Sequence, residues 1–87
     1  MITAYEVEYT RGAVKALRGM PSNVRANLLA RISLLSANPF AAQNVKKLVD
    51  RDGYRLRVGD WRVIYEIDAG RLVILVVTIA TRGGVYQ

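Results

Sequence analysis

Three arginines fall on two neighbouring segments in which apolar and charged residues alternate. Arg55 and Arg57 lie on the first segment and Arg62 on the second. A guanidinium group stays cationic at any accessible pH and can form two parallel hydrogen bonds with phosphate oxygens. Several guanidinium groups held on a rigid strand are therefore typical of phosphate recognition. The competing interpretation is an ordinary solvated basic face.

The residue types that are missing limit the chemistry further. The chain contains neither Cys nor His among its 87 residues, which excludes disulfides, thiolate or imidazole metal sites and a Ser-His-Asp triad. Carboxylates, Lys, Arg and Tyr remain for any acid–base step. A zinc enzyme is therefore excluded.

The charge balance favours a polyanionic partner. Thirteen Lys and Arg against seven Asp and Glu give a formal net charge of +6. A field of this sign attracts nucleic acid or acidic protein surfaces. Solubility alone is the competing explanation for the charge.

The register of the two arginine-bearing segments follows from the turn between them. If Gly59-Asp60 is a two-residue hairpin turn, Arg57 faces Arg62 and Arg55 faces Ile64. The three arginines then share one face of the hairpin, because alternate residues of a strand point to opposite faces. The other face is apolar and would meet the helices; it comprises Tyr54, Leu56, Val58, Trp61, Val63 and Tyr65.

Other residues could extend this basic patch. Lys46 and Lys47 precede the hairpin and are candidates for the same face. Arg82 follows the last predicted strand, and strand parity alone does not place it. Tyr86 is an aromatic residue close to the C-terminus.

The remaining elements are predicted from periodicity and from capping residues. Alternation over Tyr5, Val7 and Tyr9 predicts a strand, and Thr10 then caps a short helix. Ser22 is the next candidate cap, for a helix that ends near Ala37. After a loop, three strands are predicted at residues 54–58, 61–67 and 72–80.

This order of elements predicts an α+β fold. Two N-terminal helices pack on a four-stranded, mainly antiparallel sheet in the order β-α-α-β-β-β, within a single domain spanning residues 1–87. The start of the chain carries acidic residues where a secretory signal would carry basic ones, and the apolar run of residues 72–80 is too short to span a bilayer. A cytoplasmic protein without a membrane partner is the expectation.

These residues resemble a known family. Lys47-Leu48 and the run from Tyr54 to Ile67 are similar to the central signature of toxins of the RelE/ParE superfamily, most closely RelE-type mRNA interferases. A second helix closed by Asn38-Pro39 and an ending in Arg82 and Val85-Tyr86 support the resemblance, which covers nearly the whole chain.

The resemblance implies the toxin of a type II toxin–antitoxin system. Such toxins are held by a cognate antitoxin, bind the ribosome and cut mRNA in the A site without metal or cofactor. Operator DNA is then contacted only through the antitoxin complex. The implied reaction is attack of the ribose 2′-hydroxyl on the adjacent phosphodiester, which inhibits translation.

The resemblance also implies roles for individual residues. It places Arg55, Arg57, Arg62, Arg82 and Tyr86 on the active surface. We expect Arg57, Arg62, Arg82 and Tyr86 to act in catalysis, and Arg55 to bind RNA together with Lys46 and Lys47 of the basic patch. The general base is open between Tyr86, Lys47 and a group of the ribosomal RNA. The segment Thr81-Arg82-Gly83-Gly84-Val85-Tyr86 departs from the usual His-Arg-Arg-Glu-Val-Tyr of the family by losing an acid and gaining two glycines.

Two other functions remain open at this point. One is a ParE-like inhibitor of DNA gyrase, in which the basic constellation of the nucleases is typically incomplete. The other is an inactivated toxin that acts only as an antitoxin-binding or DNA-binding module.

Overall fold

The computed structural model describes residues 4–40 and 44–81. These residues form two helices and five strands. In chain order the elements are β1 (Glu6–Tyr9), α1 (Arg11–Gly19), α2 (Ser22–Ala37), β2 (Val45–Lys47), β3 (Tyr54–Val58), β4 (Trp61–Asp68) and β5 (Val73–Thr81).

The strands form one sheet in the order β1-β5-β4-β3-β2. Strand β1 runs parallel to β5, and every other neighbouring pair is antiparallel. The predicted α+β architecture is confirmed with one more strand than expected, since β2 lies in a segment predicted as a loop. Its three residues pair with β3 at the sheet edge. A run of three residues is too short for an alternating pattern to be recognised in the sequence.

The two helices begin in different ways. The Thr10 hydroxyl caps α1 as predicted by accepting a hydrogen bond from the Ala13 amide at 3.2 Å. The helix predicted up to Ala37 is confirmed, but its predicted cap was wrong, because Pro21 occupies the capping position and Ser22 is already helical. The Arg25 guanidinium of α2 donates to the Leu17 carbonyl at 3.1 Å and so ties the two helices together.

Both helices pack on the same face of the sheet. One face of α2 is apolar and buried, since Leu28, Ile32 and Leu35 are at most 1% exposed. They form one core with the inward side chains of the sheet, among them Leu56, Val58, Val63, Tyr65, Ile74, Val76 and Ile79. Neither described helix packs on the opposite face, which we call the open face.

Strand β5 contains a β-bulge at Val77. Pairing with β4 steps from Thr78 opposite Ile64 to Val76 opposite Tyr65, which leaves Val77 as an extra residue. Thr10 holds the bulge, because its amide donates to the Val76 carbonyl at 3.0 Å and its hydroxyl donates to the Val77 carbonyl at 2.6 Å. The extra residue reverses strand parity, so that Ile79 joins the core.

Neither helix in the described part of the chain is both long and apolar enough to cross a bilayer.

Tyr65 on β4 is a buried polar residue at the centre of the core. Its ring stacks on Tyr54 with centroids 5.6 Å apart, and its side chain is 0% exposed. Its hydroxyl finds no hydrogen-bond partner among the described residues. Burial, with a smaller contribution from Tyr54, raises the pKa of Tyr65 to about 12 from its ordinary value of 10.0.

We expect Tyr65→Phe to stabilise the protein and to reduce its alkaline sensitivity. Removing an unsatisfied buried hydroxyl should raise the free energy of unfolding at neutral pH by about 1 kcal/mol. The pKa of Tyr65 is higher in the folded protein than in the unfolded chain. The stability that this difference contributes is therefore complete below the unfolded pKa and is lost as pH rises through the folded pKa, that is, between 10.0 and about 12. Urea denaturation at neutral and alkaline pH measures both effects. Tyr5→Phe is the control, and equal alkaline losses in the two variants would contradict the assignment.

Candidate functional site

The turn at Gly59-Asp60 sets the register of β3 against β4. Gly59 has φ 59°, in the left-handed region that a two-residue hairpin turn requires and that glycine adopts without strain. Arg57 lies opposite Arg62, and Arg55 lies opposite Ile64. The register predicted from the sequence is therefore confirmed over the whole hairpin.

Four cations form two rows across the open face, which we call the basic rows. The first row runs from Arg57 through Arg62 to Ala80 on β5, and the second pairs Lys46 on β2 with Arg55. Neighbours within a row are about 5 Å apart, and the rows are separated by two residues, or about 7 Å along the strand. Arg55 and Arg62 are half-buried, whereas Arg57 and Lys46 are exposed.

A cleft of about 140 Å³ opens beside the basic rows. Asn44 lies at its wall and was not singled out from the sequence. It has φ 63°, and its carbonyl accepts the Arg57 amide at 3.0 Å. Asn tolerates this left-handed conformation better than most residues. This preference was the feature of the sequence that could have pointed to Asn44. The cleft is lined by Asn44, Val45, Lys46, Arg55 and Arg57.

The other half of the open face is acidic. Glu66 on β4 and Glu8 on β1 flank Leu75 of β5, and Asp68 and Glu6 flank Val73 in the same way. The acids of each pair are two strand spacings apart, about 10 Å. In residues 4–40 and 44–81 no group of three or more acidic residues is placed to hold a metal ion. The open face therefore has a cationic half and an anionic half.

The structure brings together four of the seven residues singled out from the sequence. Lys46, Arg55, Arg57 and Arg62 share the open face. Lys47 lies opposite Tyr54, so its position in the strand belongs to the helix-bearing face, where the side chain is exposed. Arg82 and Tyr86 lie outside the described residues.

The family model that matches this chain describes the ParE toxin of the type II toxin–antitoxin system parDE and aligns with residues 7–86. The chain belongs to the RelE/ParE toxin superfamily. Its fold is RelE-like, since the toxin in a RelE–RelB complex of Pyrococcus horikoshii superposes with a TM-score of 0.81 at 31% identity, covering 93% of this chain and 98% of that one. As a member of the superfamily it is the toxin component of a type II system.

More distant structures share the fold. The RelBE2 toxin–antitoxin complex of Mycobacterium tuberculosis matches with a TM-score of 0.75 and 24% identity, covering 92% of this chain and 100% of that one. The intact RelBE complex of E. coli matches with a TM-score of 0.78 and 23% identity, covering 90% of this chain and 96% of that one. No curated protein sequence matches.

We expect Arg57→Ala to stabilise the free toxin at low salt. Arg57 is exposed and faces Arg62, and like charges opposite one another on a sheet are destabilising by about 0.2–1 kcal/mol. Salt screens this repulsion, so the gain in the free energy of unfolding should shrink at high ionic strength. Urea denaturation at two salt concentrations measures the difference. Arg51→Ala, at an exposed loop position, is the matched control; a loss of stability at both salt concentrations would show that Arg57 makes a stabilising contact instead.

Proposed function

We propose that this toxin is an endoribonuclease that cuts messenger RNA on the ribosome. The observation that supports this most is the pair of basic rows, in which four cations lie on a sheet face that neither described helix covers. Cations fixed on adjacent strands are preorganised, so they need no rearrangement when charge develops on a phosphate.

The proposed reaction is transfer within the RNA strand. The ribose 2′-oxygen gives up its proton to a base and attacks the adjacent phosphorus. The bond from phosphorus to the 5′-oxygen breaks, and that oxygen takes up a proton. The products are a 2′,3′-cyclic phosphate and a free 5′-hydroxyl. The protein has to hold the three reacting atoms in line and stabilise the charge on the phosphoryl oxygens.

The residues divide by their place in the basic rows. Arg57 and Arg62 form the row that we assign to the scissile phosphate. Lys46 and Arg55 line the second row and the adjoining cleft, where we assign a neighbouring phosphate. In this proposal Arg82 and Tyr86 complete the site from the C-terminal segment.

Elimination narrows the candidates for the general base but leaves two of them. Arg is a poor base because its guanidinium group stays protonated at any accessible pH. Lys47, one of the candidates, lies at a position of the helix-bearing face, which argues against it. Tyr86 or a ribosomal RNA group therefore remains, and the proposal needs no metal ion for the step.

The acidic half of the open face restricts how RNA can lie on the protein. Glu6, Glu8, Glu66 and Asp68 repel a phosphate backbone, whereas the basic rows attract it. An RNA strand is therefore expected to cross the β2, β3 and β4 side of the sheet and to avoid β1. Charge of both signs on one face orients a polyanion more sharply than a uniform basic face does.

Inhibition of DNA gyrase is the second candidate function. The observation that favours it is the matching family model, which is named for ParE toxins. The basic rows argue for RNA, because an inhibitor that binds a protein needs no such phosphate site. A gyrase cleavage assay beside primer extension on mRNA from expressing cells separates the two: cuts within translated codons support the nuclease, and trapped gyrase–DNA complexes without mRNA cuts would replace it.

We expect Arg62→Ala to abolish mRNA cleavage while the protein still folds. Loss of a preorganised cation at a developing phosphoryl charge should lower the cleavage rate by about 10²–10³. Arg62→Lys should recover part of the rate, since it retains the charge but loses the two-point geometry. Single-turnover cleavage of ribosome-bound mRNA, with thermal melts of each variant, gives the comparison. An Ala variant that cuts as fast as wild type would remove Arg62 from the site.

We also propose a cognate antitoxin as partner, since the toxins of Pyrococcus horikoshii and E. coli described above were solved in complexes with RelB antitoxins. An amphipathic segment with acidic residues would complement the net charge of +6. Co-expression with the neighbouring small open reading frame should give a complex that survives affinity purification at moderate salt. Purification of the toxin without that protein would contradict the partnership.

A further inference from the structure

The net charge of the protein does not come from the open face. In the described residues that face carries the basic rows and an equal number of acids. Helices α1 and α2, by contrast, carry five cations and no acidic residue. The helix-bearing side therefore holds most of the excess positive charge, on the side of the sheet away from the basic rows. The five cations are Arg11, Lys15, Arg18, Arg25 and Arg31.

Three of these cations form a stripe along α1, which we call the α1 stripe. Arg11, Lys15 and Arg18 are all exposed. At about 100° per residue they fall within an arc of about 60° on the helix, one turn apart from each other. The buried residues Ala13 and Leu17 lie on the opposite side of the helix, so the stripe points away from the core.

The α1 stripe opposes the stability of its own helix. Arg11 is the first residue of α1 and its first turn contains no acid, although the positive end of the helix dipole disfavours a cation there. Arg11 and Lys15 are four residues apart and Lys15 and Arg18 three, and like charges at these spacings repel. Arg18 lies in the last turn, where the dipole favours a cation, but helix stability does not explain Arg11 and Lys15.

Two glycines border the stripe on one side. Gly12 and Gly19 lie in α1 without a positive φ, and a Cβ atom at either position would meet nothing within 4 Å. Neither turn geometry nor close packing within the described protein requires them, and glycine in a helix is unfavourable relative to alanine. Bare backbone beside a row of cations leaves room for a bulky anionic chain to approach.

The surroundings of the stripe favour nucleic acid over protein as the occupant. Protein interfaces are centred on apolar or aromatic anchors, and none of the exposed large apolar residues lies on α1. They are Leu29, Leu34, Phe40, Val49 and Leu72. Nucleic-acid interfaces are polar and strongly cationic. α1 also lacks Asn and Gln, which read base edges, so the contact would be with phosphates.

We propose that the α1 stripe is a second phosphate-backbone site, formed by Arg11, Lys15 and Arg18 with Gly12 and Gly19 beside them. It binds double-stranded RNA without regard to sequence, because a rigid duplex is recognised through its shape and its backbone phosphates and RNA is the polyanion of the proposed function. With the basic rows on the other side of the sheet, one molecule contacts two separate nucleic-acid segments. This inference goes beyond the proposed cleavage reaction, and only the choice of RNA as the polyanion rests on the proposed function.

The test measures binding of a fluorescently labelled, blunt-ended RNA duplex over a range of salt concentrations. All proteins carry Arg62→Ala, so that binding is read without cleavage. Arg11→Ala/Lys15→Ala should weaken binding about tenfold near 0.1 M salt and make the salt slope shallower by about two units. Its thermal midpoint should rise, since the repulsion in α1 is relieved. The control Arg51→Ala/Arg71→Ala removes the same charge from exposed loop positions and should weaken binding far less.

The glycines give an independent measurement. Gly12→Ala and Gly19→Ala leave the charge unchanged and should raise the thermal midpoint, yet each should weaken duplex binding because the added methyl group blocks close approach. Affinity and slope unchanged from the Arg62→Ala parent in Arg11→Ala/Lys15→Ala would show a solvated helix face. Loss of antitoxin binding with unchanged duplex binding would show a protein interface. Either result overturns the proposal, whether or not the protein proves to be a nuclease.

Discussion

The two-residue turn at Gly59-Asp60 determines which side chains of the central hairpin face the core. A slip of one residue between β3 and β4 would move a whole set of side chains to the opposite face. Arg55 and Arg57 would then enter the core in place of Leu56 and Val58, at the large cost of burying unpaired charge. The same register that fills the core with apolar residues therefore assembles the arginines on the open face. Core packing and the candidate site depend on one turn, whose first residue needs the positive φ of Gly59.

A second constraint comes from Thr10, which connects α1, β1 and β5. Its side chain caps α1 and also donates to the carbonyl of the bulged Val77. Without the bulge, the parity that buries Ile74 and Val76 would turn Ile79 outward and Ala80 inward. With it, Ala80 lies beside Arg62 on the open face. β-bulges often re-aim side chains next to functional sites in this way. The end of the first basic row, at Ala80, thus depends on the hydrogen bond that Thr10, the cap of α1, makes with Val77.

The sequence predicts most of this architecture, and the omissions have physical causes. Strong alternation and the Gly59-Asp60 turn were enough for the β3–β4 register and for three of the four cations in the basic rows. Strand β2 was not predicted, because it is short and because its pairing is determined by contact with β3. The face of Lys47 follows from that pairing, so no local pattern could place it. The bulge at Val77 and the parallel placement of β1 beside β5 arise from tertiary contacts, which periodicity does not record.

Because of its charge distribution, the free toxin is expected to be less stable than the toxin in a complex. Arg57 faces Arg62 on the sheet, and Arg11, Lys15 and Arg18 repel one another along α1. Each repulsion raises the free energy of the free folded protein more than that of the unfolded chain, where the charges are farther apart and hydrated. A polyanion that binds both surfaces removes this penalty, and any ligand that binds only the folded state stabilises it by mass action. A polyanionic partner would therefore supply counter-charge to helices that carry no acid. Binding of such a partner would therefore raise the stability of the folded toxin.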